Sequence, residues 1–348
     1  MSSEKTLLKL LRISLGNDES VTQPKNQLPL SVDWRKVIDL SFKQGVAAIA
    51  VDGLQRIYDE IPNQVRDDAE QVRNDDERHA ELDSASPALE ALDSPSLEDL
   101  KYEWFGSVMS CEQDYELHCT RAGELTRIFA EAGMRSCILK GVGNSQMYPE
   151  PGHRACGDID IWVEGGRERV LEFLRSRYKV GKAVVHHADV QMLPDVAVEV
   201  HYMPAWLYNP VANRRLQRYF EAQASAQFDN ITLLGFARPQ DDFNLVYSAV
   251  HIYKHKFQEE LTLKQLVDYY YILQASSAAE RASAYGLLRS VGLGGFAAWL
   301  MGVLQEELCL SSDQMLCPPR SGSCHRPLGE ALCLYPWKAW HWFARRRF

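Results

Sequence analysis

A chain of 348 residues can bury a sizeable core and hold two or three structural units, and 46% hydrophobic with 24% charged residues fits a soluble globular protein. The net charge of −9 is local: twelve acidic and three basic residues lie between Val65 and Leu100 and the remainder balances, so overall acidity says nothing about the partner of the folded part. No uncharged apolar run reaches ~18 residues, which excludes a membrane-spanning helix from the sequence reading.

The N-terminal LLKLLRISL is interrupted by Lys9 and Arg12. It reads as an amphipathic helix over Thr6–Leu15, not as a signal-peptide core, so a cytoplasmic location is expected. A second helix starts at Ser31 or Asp33, either of which can cap it, and Gly45 breaks it before VAAIAVDGLQRIYDEI continues as a third. Residues 1–64 thus form an N-terminal helical region. Residues 65–96 are acidic, rich in Ala and Ser and without the apolar face of a core helix, so they read as a flexible insertion. Leu97–Ala132 is helical again, with Gly133 as its C-terminal stop.

The next block alternates strands and helices: a strand at Ser136–Leu139, a Gly-containing turn and short helix at Gly141–Met147, and a Pro-rich loop to Gly157. Then come a strand at Asp158–Val163, a helix at Arg167–Arg177, and two strands around Lys182–Met192 and Val196–Tyr202, joined by a turn at Pro194-Asp195. This core spans 97–235, and residues 236–348 form a C-terminal helical region ending in a basic, Trp-rich tail. The eight cysteines include no C-x-x-C pair and read as reduced thiols. Cys309, Cys317, Cys324 and Cys333 with His325 are too irregularly spaced for a zinc knuckle.

The chemistry concentrates on two strands. In DIDIWV, Asp158, Asp160 and Trp162 share one face. In VAVEVHY, Ala197, Glu199 and His201 do. If the strands are neighbours, three carboxylates converge, repel one another, and are relieved by a divalent cation. Oxygen ligands favour Mg²⁺, Mn²⁺ or Ca²⁺ over zinc, and a Mg²⁺ held by a few carboxylates keeps open positions for substrate phosphates. A Gly-containing turn carrying Lys140, and Arg154 in the loop after it, offer donors and positive charge to those phosphates. The plainer reading of D-x-D is an edge strand with solvent-facing acids.

The combination of LKG, YPEPGHR, GDIDIWV and VEVH resembles the uncharacterised bacterial nucleotidyltransferase-like family of the polymerase-β-type nucleotidyltransferase superfamily. The resemblance extends to VHIYKHK and LKQLVDYYYIL in the helical half. It implies an α+β fold, a small mixed sheet flanked by N- and C-terminal helical regions. It also implies metal binding by Asp158 and Asp160 with Glu199 as third acid, and nucleotide-phosphate contacts near Lys140 and Gly141. The expected activity is Mg-dependent transfer of a nucleotidyl group from an NTP to a hydroxyl or phosphate acceptor that the sequence does not identify. Two alternatives stand beside it: a non-catalytic nucleotide-binding or scaffold module, and a toxin-like enzyme acting on RNA or protein. One departure from active members is Gly141-Val142 or Gly143-Asn144 where Gly-Gly or Gly-Ser is usual, which leaves open which turn faces phosphate.

Of the histidines, His201 shares the face of Glu199 and reads as a site-lining residue. His186 and His187 are adjacent on one strand, so only one is expected to face the acids. His251 and His255 are one helical turn apart and read as hydrogen bonding within the helical half, with Asp268 a candidate partner, or as lining the cleft. Trp337, Trp340, His341 and Ala344, backed by Lys338 and Arg345–Arg347, are expected to pack on the body. Weak contact of 337–348 with a membrane surface or another anionic partner is the alternative. No long basic face is present, so sequence-specific DNA binding is not expected.

Overall fold

The computed structural model describes residues 2–17, 32–59, 95–258 and 261–320, which divide into two compact units, Met1–Ser110 and Cys111–Phe348. The acidic stretch from Gln64 to Ser94 and the basic, Trp-rich tail lie outside the described residues, as do Cys324, His325 and Cys333.

The first unit is built from helices. Helix α1 (Ser3–Ser14) is capped by the Ser2 side chain and buries Leu7, Leu10 and Leu11. Helix α2 (Trp34–Lys43) starts at Asp33, whose carboxylate accepts from the Lys36 amide and so takes the cap that Ser31 also competes for in the sequence. Helix α3 (Ala47–Asp59) lies so close to α1 that a Cβ at Gly53 would collide with the Leu10 carbonyl. The long helix α4 (Pro95–Glu131) contributes Trp104, buried against Trp34 with its indole N–H donating to the Ala47 carbonyl at 3.2 Å.

The second unit holds a five-stranded mixed sheet. Strand β1 (Ser136–Ile138) leads through a four-residue helix α5 (Val142–Ser145) and the Pro-rich loop to β2 (Ile159–Val163), and α6 (Gly166–Arg177) follows. Next come β3 (Lys179–Ala183), β4 (His187–Gln191) and β5 (Val198–His201). The strand order is β1-β2-β5-β4-β3, with β2 and β5 parallel and the other neighbours antiparallel. One correction concerns Lys182–Met192, read above as a single strand. It is a hairpin whose turn, Val184–His186, carries none of the Gly, Pro, Asn or Asp residues that usually mark one.

Alternation sorts the faces as the pattern requires. Ile159, Ile161 and Val163 with Val198 and Val200 are buried against Leu125 and Phe129 of α4 and Leu171 of α6. This apolar face gives the sheet its core. On the opposite face lie the acids and Trp162, whose ring stacks on Phe243 at 5.8 Å. Phe243 belongs to α8 (Asp241–Gln258), preceded by α7 (Pro210–Phe228), which Asn209 caps. Helices α9 (Leu263–Ala275) and α10 (Ala278–Ser290) each open with a capping box, Thr262/Gln265 and Ser277/Glu280, and α11 (Gly294–Leu308) follows. Among the described residues no helix is long and apolar enough to cross a membrane.

Candidate active site

The register of β2 on β5 pairs Asp160 with Glu199 and Trp162 with His201. That of β4 on β5 pairs Asp189 with Glu199 and His187 with His201. Three adjacent strands therefore present one row of acids and, one pleat further, a row that includes two histidines.

Asp160 is the buried centre of this face, 2% exposed. Its Oδ2 lies 2.9 Å from Lys140 Nζ, and its Oδ1 accepts from His201 Nε2 at 3.0 Å. Burial alone would raise its carboxyl pKa, but Lys140 and His201 outweigh burial and hold it well below the usual carboxylate range. The converse holds for both partners. Burial opposes the charge of Lys140 and of His201, yet the neighbouring carboxylates keep both pKa values above their ordinary positions. Asp158 lies at the entrance to β2, on the exposed side. The charge of Asp160, then burial, pushes its carboxyl upward, as expected of crowded acids. Glu199 is half-buried and reaches His187 Nδ1 at 3.2 Å and His201 Nε2 at 3.5 Å.

The sheet thus brings Asp160 and Glu199 together and adds His201 to them, with ligand atoms all within 4.8 Å of one another. Asp158 belongs to none of the three such sets among the described residues. A cleft of about 650 Å³ opens beside the row, lined by Asp158, Asp189 and Glu199 together with Lys179, Gln191 and Asp195. Its size suits a small-molecule ligand.

Gly141 adopts φ +57°, a conformation that L side chains rarely take, and this turn carries Lys140 under Asp160. Gly143 has a different reason to be glycine: an added Cβ would lie 2.8 Å from the Ile138 carbonyl. The turn glycine beside the acids is therefore Gly141, while Gly143 lets α5 pack on β1. His118 of α4 reaches the Gly157 carbonyl at 2.7 Å and so fixes the residue ahead of Asp158.

Arg154 pairs with Asp268. Its Nε and Nη2 donate to Asp268 at 3.1 and 2.8 Å, and its Nη1 donates to the Ala155 carbonyl. Tyr148 Oη and Asn144 Nδ2 complete the shell of Asp268, at 2.6 and 3.3 Å. Asn144 in turn accepts from Asn244, which accepts from Ser248. YPEPGHR and the Asp of LKQLVD are thus two halves of one buried polar clamp, which seats the loop after α5 on α8 and α9. The donors expected to meet phosphate are already engaged, because a guanidinium buried this deeply needs a carboxylate.

Three features escape the strand reading. His186 is not on a strand but in the hairpin turn, so both His186 and His187 face the acids; their facing nitrogens, His186 Nε2 and His187 Nδ1, are 3.2 Å apart. Burial pushes the His186 imidazole down to about 2 and lowers that of His187. Asp189 shares the face through its register with Glu199, a position that alternation from His187 already marks in HAD. Lys264, at the start of α9, is half-buried and near enough to Asp158 and Lys140 to feel their charges; burial first, then Arg154, lowers its pKa. From α8, burial and then the charge of Lys140 push the His251 imidazole well below its ordinary value.

No curated protein sequence matches the chain. Among solved structures, it is similar to an antigenic nucleotidyltransferase-like protein from Paracoccidioides brasiliensis, with 14% identity over 60% of this chain and 96% of that one and a TM-score of 0.35. A family model described as uncharacterised nucleotidyltransferase matches residues 31–301, from just before α2 into α11, and so covers Lys140, Asp158, Asp160 and Glu199. The chain belongs to that family of uncharacterised nucleotidyltransferases.

Proposed function

We propose that the protein binds a nucleoside triphosphate with a divalent cation at Asp158, Asp160 and Glu199, and transfers the nucleotidyl group to a hydroxyl or phosphate acceptor. The observation that carries this reading is the pairing of Asp160 with Glu199 on neighbouring parallel strands, with Lys140 on the same carboxylate. The donor set fits Mg²⁺ or Mn²⁺: the acids crowd one another enough to raise the carboxyl of Asp158, and oxygen ligands suit hard cations. When bound, such a cation neutralises phosphate charge and activates the attacking oxygen.

The chain's own residues do the rest. Lys140 and Lys264 supply positive charge to the phosphates. Gly141 lets the backbone approach them without a side chain in the way. The cleft orients the acceptor, and catalysis rests on positioning and charge complementarity rather than on a protein nucleophile. Arg154 acts at one remove, holding the Lys140 turn through Asp268. Glu199, half-buried and beside His201, completes the cation site or takes the acceptor's proton.

Incubation with labelled NTPs and Mg²⁺ across acceptor classes tests the reading. Asp160→Ala is expected to lose nucleotide transfer by at least about a hundredfold. Equal nucleotide binding by the parent and by Asp158→Ala/Asp160→Ala would sink it. A second reading, a nucleotide-binding module without turnover, is favoured by one feature: the turn residue after Gly141 is Val142, which has no hydroxyl to offer a phosphate. Cation-dependent NTP binding with no product on any acceptor would select it.

A further inference from the structure

We propose that the face also holds a second, softer divalent cation of the zinc class, bound by His186, His187 and His201 with Glu199. The three rings lie around one point, with centroids 4.4, 5.1 and 5.4 Å apart, and one nitrogen from each lies within 4.8 Å of the others. His186 Nε2 is 3.2 Å from His187 Nδ1, His187 Nδ1 is 3.2 Å from Glu199 Oε2, and Glu199 Oε2 is 3.5 Å from His201 Nε2. Bonds of about 2.0–2.2 Å from zinc to nitrogen and oxygen make the edges of a tetrahedral or octahedral shell roughly 3.0–3.5 Å, the spacing found here.

The nitrogens that face the cluster are Nε2 of His186 and His201 and Nδ1 of His187, and His201 is 3% exposed. Three imidazoles and a carboxylate gathered around one point are a poor choice for packing, and a cation shared between those atoms accounts for the arrangement. For His187 the surroundings also supply what a histidine ligand needs on its far side. With Nδ1 of His187 directed inward, its Nε2 lies 3.5 Å from Asp189 Oδ1, the carboxylate that orients the ring. Imidazole donors select Zn²⁺, Co²⁺, Ni²⁺ or Fe²⁺ over Mg²⁺, so this site differs in chemistry from one built on Asp158 and Asp160, with Glu199 shared between the two.

The test uses the full chain, purified without an affinity tag and stripped of metal, and titrated with Co²⁺ alone. One equivalent is expected to bind with visible d–d absorption and no thiolate charge-transfer band, and to stay bound in excess Mg²⁺. X-ray absorption of the Zn²⁺-loaded parent, which needs no variant, should show imidazole scattering. His186→Ala and His187→Gln should each weaken Co²⁺ binding by more than about tenfold. Asp158→Asn should leave Co²⁺ binding unchanged while losing Mg²⁺-dependent NTP binding, so this inference and the nucleotidyltransferase reading fail separately. An oxygen-only shell, a thiolate band, no bound Co²⁺, or equal loss in Asp158→Asn each overturns the proposal.

Discussion

Asp160 divides its two oxygens between Lys140 and His201, and Arg154 and Asp268 make a second buried pair. The second pair gives the clearest predictions at the level of single residues. Arg154→Met leaves Asp268 buried with no cation and should cost about 3–5 kcal/mol of stability in urea titrations. Arg154→Met/Asp268→Leu should recover much of that loss, because two apolar side chains leave no buried charge. Burial raises the carboxyl of Asp268, but Arg154, Tyr148 and Asn144 more than offset it, so the folded pKa lies below the unfolded one. Its contribution to stability is therefore complete above the unfolded value of about 3.9 and is lost as pH falls through the folded value. Acid unfolding curves should show a shallower fall for the double variant than for the parent. These partners were hidden in the sequence: Arg154 and Asp268 are 114 residues apart, and no local pattern says that an Arg in a Pro-rich loop points inward.

At the scale of elements, alternation made the two faces of β2 and β5 legible, down to which acids share a side. It could not supply the register that sets Asp160 beside Glu199, because register depends on pairing across the sheet. Nor did it reveal the β3–β4 hairpin, since the apolar run from Ala183 to Val185 continues through the turn without punctuation. That one missed turn is why both histidines reach the acids. The α5 turn makes a further test. Gly143→Ala puts a methyl 2.8 Å from a backbone carbonyl that cannot rotate away. It should cost about 1–3 kcal/mol in thermal unfolding. By displacing Lys140, it should weaken NTP binding by more than a distant variant of equal stability.

For the whole molecule, the α+β class and the nucleotidyltransferase family were both legible in motifs spread from Leu139 to Asp268, and the family match spans the same region. The conversion of those motifs into a site depends on contacts between residues far apart in the chain, 41 positions for Asp160 and His201, which only the folded chain displays. Ligand binding confined to the native state raises its stability by mass action, about 2.7 kcal/mol at a hundred times Kd. Under the proposed reading, Mg²⁺ and an NTP together should raise the melting temperature, either one alone should raise it less, and Asp160→Ala should show no combined shift. Differential scanning fluorimetry over a panel of NTPs would also identify the preferred base.

The ammonium of Lys140 beside Asp160 makes the face an ion exchanger with its own resident counter-ion. Any divalent cation arriving at that carboxylate competes with a tethered positive charge that never diffuses away. Phosphates arriving with the cation give the displaced ammonium a new anion to meet, so cation and nucleotide should load together more readily than separately. Removing the tethered charge should therefore move the two affinities in opposite directions. In Lys140→Met, calorimetry should find divalent cations binding more tightly in the absence of nucleotide, and nucleotide binding more weakly in their presence.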